Sequence, residues 1–122
     1  MTKFGFEDLD VWQKATSFSN KVIKLVDLIN TDRKHFRLIE QLEASSTSIA
    51  LNIAEGKGRY SKKEFIQFLY IARGSLYETI TLLVIFENNK WINGEQLEEL
   101  KAFGNEISKM LSSLIKSIKS SL

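Results

Sequence analysis

Apolar residues recur along the 122-residue chain at alternating steps of three and four, in four separate segments. Such steps return to one face of a 3.6-residue turn, so each segment predicts an amphipathic helix. The first seam passes through Val11, Ala15, Phe18, Val22, Leu25 and Ile29 and predicts a helix over about 7–29. A second, through Ile39, Leu42, Ser46, Ile49 and Ile53, predicts one over about 34–56. The third runs through Phe65, Leu69, Ala72, Leu76, Thr79 or Ile80, Leu83 and Phe86, over about 61–88. The last, over about 94–119, uses Leu97, Leu100, Gly104, Ile107, Leu111, Leu114 and Ile118.

The residues between the seams suit helix ends. Asn30, Thr31 and Asp32 can end one helix and cap the next. Gly56 and Gly58 can supply a left-handed turn after the second. Ser61 with Glu64, and Asn93 with Gln96, stand at the capping-box offset. The chain has no proline, which suits long unbroken helices. Short connections make successive helices antiparallel neighbours. The expected fold is all-α, an up-down-up-down four-helix bundle, formed by one domain spanning residues 1–122. The Ser-rich C-terminus is expected to fray.

The third helix is richer in apolar residues than one core face requires. Its run ITLLVIF, residues 80–86, is apolar nearly all round, and Ile66, Tyr70, Tyr77 and Val84 form a second stripe. A helix apolar on most faces is covered on most faces. Either the core is thick, or the second stripe meets another subunit, giving a homo-oligomer.

Composition narrows the chemistry. There is no Cys, hence no disulfide and no thiolate site. No uninterrupted apolar run reaches ~18 residues, and the acidic N-terminal stretch is unlike a secretion signal, so no membrane span and a cytoplasmic location are expected. A single histidine, His35, falls in a connection and reads as solvated. A di-iron bundle needs paired Glu-x-x-His motifs, so no metal site is expected. No activated nucleophile or phosphate-binding loop is visible. The chain is therefore expected to be non-enzymatic, with no catalytic residues and no cofactor.

Two polar features remain. Ser48, Asn52, Glu55 and Arg59 follow a 4, 3, 4 spacing beside the second seam, and Arg73, Ser75 and Glu78 offer partners on the third helix. They predict an inter-helix network that fixes register, or else lines a pocket. Buried charges persist only when paired. Gly74 and Ala72 are expected to allow close helix approach. The second feature is a basic turn carrying Lys57, Arg59, Lys62 and Lys63, with Tyr60 among them. It reads either as a solvated loop or as a phosphate-contact surface, where Tyr60 stacks on a base. The formal net charge of +2 is too small to predict tight non-specific binding by a monomer.

The stretches LDVWQKA (9–15), QLEASSTSIALNIAEGKGR (41–59) and SKKEFIQFLYIARGSLYET (61–79) together resemble the bacterial four-helix-bundle family encoded in intervening sequences of 23S ribosomal RNA genes. The resemblance spans about residues 4–90 and implies a bundle that assembles as a ring-like homopentamer. It also implies a relation to the accessory proteins of diversity-generating retroelements, and RNA or DNA as partner, with no enzymatic activity. The chain departs from the family at Glu43 and Ala44, which stand where members commonly carry two basic residues. That shifts any nucleic-acid contact towards Lys57, Arg59, Lys62 and Lys63, and towards the C-terminal Lys109, Lys116 and Lys119. The competing expectation is a protein-interaction module with a protein partner and no nucleic-acid role.

Overall fold

The computed structural model, which describes all 122 residues, contains a short 3-10 helix, Gly5–Asp8, and four α-helices. These are α1 (Asp10–Val26), α2 (Phe36–Lys57), α3 (Lys62–Asn88) and α4 (Gly94–Ser120). There is no strand. Each helix packs on its neighbours in sequence, α1 also packs on α4, and the backbones of the diagonal pairs do not approach closely. Cross-helix contacts set the directions. Ser45 meets Thr79 and Ser48 meets Ser75, so α2 and α3 run oppositely. Tyr77 faces Ser108 and Tyr70 faces Lys119, which does the same for α3 and α4. Lys14 pairs with Glu106 and Lys21 with Glu99, so α1 opposes α4. The order is the expected up-down-up-down bundle.

One core of 21 buried apolar residues draws on all four helices and on Ile92. Phe18, Phe86, Leu42, Ile49 and Ile53 are among the largest fully buried side chains. At the alternative position in the third seam, Thr79 enters the core and Ile80 stays partly exposed. α3 is long and apolar enough to cross a membrane by length and composition, with a mean hydropathy of 1.4 in its most apolar window. Here eight of its residues, from Ile66 to Phe86, are buried within the bundle, as for the core helix of a globular domain.

Several helix ends differ from the sequence expectation. The first helix is broken at Leu9, whose backbone is extended. Glu7 accepts a bond from the Phe4 amide at 2.7 Å, which closes the 3-10 turn instead of extending α1. α1 stops at Val26, although Ile29 still packs on the core from the following loop. In that loop Asn30 Oδ1 accepts from the Asp32 amide at 2.9 Å and Thr31 Oγ1 bonds to Lys34 O. Neither caps α2. Its N-cap is His35, in the left-handed region at φ 64° with no side-chain cap bond. The His35 side chain is exposed, as expected, and one side of its ring packs against Trp91 at 4.7 Å between centroids. The caps of the later helices match their motifs fully at Asn93 and by one of the two bonds at Ser61. Ser61 accepts from the Glu64 amide, and Asn93 and Gln96 form the reciprocal capping box.

Gly56 and Gly58 do not make a left-handed turn, because no glycine has positive φ. Gly56 serves packing: a Cβ built there would lie 2.6 Å from the Phe68 Cβ, so α2 and α3 approach closely where a side chain is missing. Gly104 does the same between α4 and α3, facing Leu76 and Ile80. Gly74, expected to aid close approach, faces open space, whereas Ala72 is fully buried. Residues 119–122 are exposed, and Lys62 Nζ donates to Ser121 O at 3.2 Å and to its Oγ at 3.1 Å.

Candidate nucleic-acid interface

The polar stripe on α2 separates into two parts. Its neutral members form a partly buried seam between helices. Ser48 Oγ lies 2.9 Å from Ser75 Oγ, and Asn52 Nδ2 donates to Ser48 O at 2.8 Å and to Ser48 Oγ at 2.9 Å. The seam continues inward through residues that the stripe did not include. Thr79 Oγ1 lies 2.8 Å from Ser45 Oγ, and Ser19 Oγ on α1 donates to Ser46 O at 2.8 Å. Ser19, Ser45, Ser46 and Thr79 are all buried. Serine and threonine hydroxyls can return a bond to their own helix, as Ser45 does to Leu42 O, so burial leaves none of them unpaired.

The charged members do not join this seam. Glu55 and Arg59 pair with each other along α2 at 3.0 Å, and both side chains are largely exposed. The Arg73 guanidinium lies 5.0 Å from the Tyr70 ring centroid on its own helix. Glu78 takes only a long 3.5 Å bond from Gln41. The expected buried charge network is therefore replaced by a hydroxyl seam, because long charged side chains at its margin reach water more cheaply than they pair inside. Glu55→Ala is expected to change the unfolding free energy by no more than ~0.5 kcal/mol, as for an exposed i,i+4 pair. A thermal melt shifted by many degrees would contradict that.

The second stripe on α3 also divides. Ile66 is a core residue, 5% exposed, and cannot form an interface. Tyr70 and Val84 are half-buried, and Tyr77 is 54% exposed. Outward apolar surface on α3 comes instead from Tyr77 with Ile71 and Ile85. The thick core thus accounts for part of the stripe and leaves a smaller exposed face.

The basic residues converge at one end of the bundle. The α2–α3 turn carries Lys57, Arg59, Tyr60, Lys62 and Lys63, and Lys62 bonds to Ser121, so the C-terminal turn of α4 with Lys116 and Lys119 lies beside it. Lys119 Nζ reaches Tyr70 Oη at 2.6 Å and lies 5.2 Å from that ring's centroid. None of Lys57, Lys62, Lys63, Lys116 and Lys119 forms an ion pair. Glu64 is the acid nearest in sequence, in the first turn of α3. The Lys3 ammonium is held above its usual value by its hydrogen bond to Asp8 and then by that carboxylate's charge, so Lys3 is already paired.

Between the turn and the end of α4 lies a cleft of about 320 Å³. Leu9, Phe65, Leu114 and Ile118 give it an apolar floor, and Lys57, Arg59 and Lys62 stand on its rim. Tyr60 also lines it and is fully exposed. The basic turn was readable in the sequence. Leu9, Leu114 and Ile118 were not, since only the packing of the start of α1 and the antiparallel return of α4 bring them to Lys57. A larger cleft of about 840 Å³ lies at the opposite end, near Leu28, Glu87 and Trp91, and has Lys90 as its single cation. No group of His, Cys, Asp and Glu is arranged to hold a metal ion.

A family described as 23S rRNA-intervening sequence protein matches residues 7–113. The solved structure of a protein of unknown function from the S23 ribosomal protein family of Bacteroides thetaiotaomicron superposes with a TM-score of 0.80. It is 32% identical, and the match covers 87% of this chain and 98% of that one. No match is found among curated proteins. The family match covers most of the chain, including the polar seam and the basic turn, and the S23 family structure shares the bundle: the chain belongs to the 23S rRNA-intervening sequence protein family.

Proposed function

We propose that this protein is a non-enzymatic nucleic-acid-binding bundle that contacts phosphates through the end bearing the α2–α3 turn. The observation that carries the reading is the gathering there of Lys57, Lys62, Lys63, Lys116 and Lys119 without ion-pair partners, in a chain whose net charge is only +2. Cations already matched by carboxylates gain little from a phosphate. Unmatched ones release counterions when they meet it, and several side by side make binding salt-dependent. Self-association would strengthen such binding, because copies arranged about an axis repeat the patch and add their fields. The exposed Ile71, Tyr77 and Ile85 on α3 favour a homo-oligomer, for which the family resemblance suggests a pentamer.

The experiment is fluorescence anisotropy with structured RNA and duplex DNA across a salt series, on protein sized by light scattering in the same buffer. The expected result is salt-dependent binding by an oligomer. Lys62→Glu combined with Lys63→Glu is expected to weaken it at least ~10-fold and to reduce the slope of log K against log salt by about 2. Unchanged binding by the double variant would remove this end as the contact surface. No binding by the wild type at low salt would favour the second reading, a protein-interaction module using the apolar face of α3.

A further inference from the structure

We infer that the cleft beside the α2–α3 turn seats one unpaired nucleobase of a nucleic-acid strand, with Tyr60 as its stacking face and the unpaired Lys57 and Lys62 contacting the neighbouring phosphates. This rests on the nucleic-acid reading and adds to it the form of the strand. The cleft is two-sided in its chemistry. Its floor is apolar, built by Leu9, Phe65, Leu114 and Ile118, while its rim carries Lys57 and Lys62 without carboxylate partners and Arg59 paired with Glu55. That combination suits a ligand with a flat, weakly polar body and anionic ends, which is the make-up of a nucleotide within a chain. At about 320 Å³ the cleft is at the small end of ligand sites and large enough to take a base.

Tyr60 completes the seat. Its relative exposure is 109%, so neither ring face is used inside the chain. Its backbone is nevertheless fixed on both sides. The Arg59 amide donates to Gly56 O at 3.1 Å, and Ser61 caps α3. A free aromatic face on a fixed support, between cations, is the arrangement that stacks a base irrespective of sequence. The cations are held near the same place. Lys57 Nζ lies 5.9 Å from the ring centroid of Phe65, a floor residue, and Lys62 is tethered to Ser121. In a duplex both faces of each base are already stacked, and freeing one has to be offset by the protein. The seat therefore favours unpaired strands.

The test uses the full chain with short labelled oligouridylate, oligothymidylate and a duplex of equal length, at low salt. Single strands are expected to bind at least ~10-fold more tightly than the duplex. Tyr60→Ala is expected to weaken single-strand binding about 10- to 100-fold, leave duplex binding unchanged and leave the melting temperature unchanged. Tyr60→Trp is expected to restore binding, with its added indole emission quenched by the strand. The seat stands if either single strand shows this dependence, and which one does identifies the sugar it accepts. If single strands and duplex bind equally and Tyr60→Ala has no effect, the seat is overturned while the electrostatic reading survives. If nothing binds at low salt, both fall.

Discussion

Phe86→Ala is expected to lower the unfolding free energy by about 3–5 kcal/mol. Phe86 is fully buried at the end of α3 remote from the basic turn. Removing its ring deletes core contacts and leaves a cavity that close-packed neighbours fill only partly. It also removes a footing. The Phe86 ring meets Trp91 edge-on at 5.1 Å, the Trp91 amide donates to Phe86 O at 2.9 Å, and Trp91 stacks on His35 at 4.7 Å. The stack ties the α3–α4 turn to the start of α2. Around it Asp32, Arg33, His35 and Lys90 all have φ between 54° and 64°, in a region that disfavours side chains. Such residues hold that conformation only where surroundings impose it. Phe86→Ala should therefore loosen the loop as well as the core, with faster amide exchange near His35. Against a typical domain stability of 5–15 kcal/mol the loss is large, and the melting temperature is expected to fall by at least ~10 °C. A loss below ~1 kcal/mol would show that Phe86 is not the support of this end.

The bundle was legible because helix periodicity is a local signal. Phe18, Val22, Ile49, Ile53, Leu69 and Leu111 sit at seam positions and are all fully buried. The loop before α2 was less legible, since its conformation depends on Trp91, more than fifty residues away in sequence. The polar stripe was found, but its charges were misplaced. Spacing places Glu55 and Arg59 near the seam, and cannot say that their long side chains turn outward to each other. Buried hydroxyls left a fainter trace: the run of Ser45, Ser46, Thr47 and Ser48 reads as weakly helical until Ser19, Ser75 and Thr79 are placed against it. The cations of the candidate site were visible as a cluster in sequence. Its apolar floor was not, because three of its four residues lie more than forty positions from Lys57.

Two glycines should respond to alanine in opposite directions. At Gly56 the new methyl carbon would start 2.6 Å from the Phe68 Cβ and 3.0 Å from the Phe65 ring. The Phe68 Cβ is bonded to backbone and cannot swing aside, so relief requires α2 to move away from α3. Overpacking of this kind costs about 1–3 kcal/mol, and the helix-propensity gain of at most ~1 kcal/mol offsets only part of it. Gly56→Val has no comparable propensity gain and adds two more methyl groups, so it is expected to destabilise further. At Gly74 nothing lies within 4 Å, and Gly74→Ala is expected to stabilise α3 by about 0.5–1 kcal/mol. Urea unfolding of the three variants reads the signs, and a stabilising Gly56→Ala would mean that the α2–α3 approach is looser than described. The position of Gly56 connects this packing to the candidate site. It immediately precedes Lys57, and Phe65 is both its close neighbour and part of the cleft floor. Pushing the helices apart here moves the rim and the floor together, so Gly56→Ala should weaken single-strand binding even at temperatures where the bundle remains folded, while Gly74→Ala should leave it intact. If Gly56→Ala lost stability but bound strands as well as the wild type, the contact surface would lie away from this turn, and the C-terminal lysines of α4 would be the next to substitute.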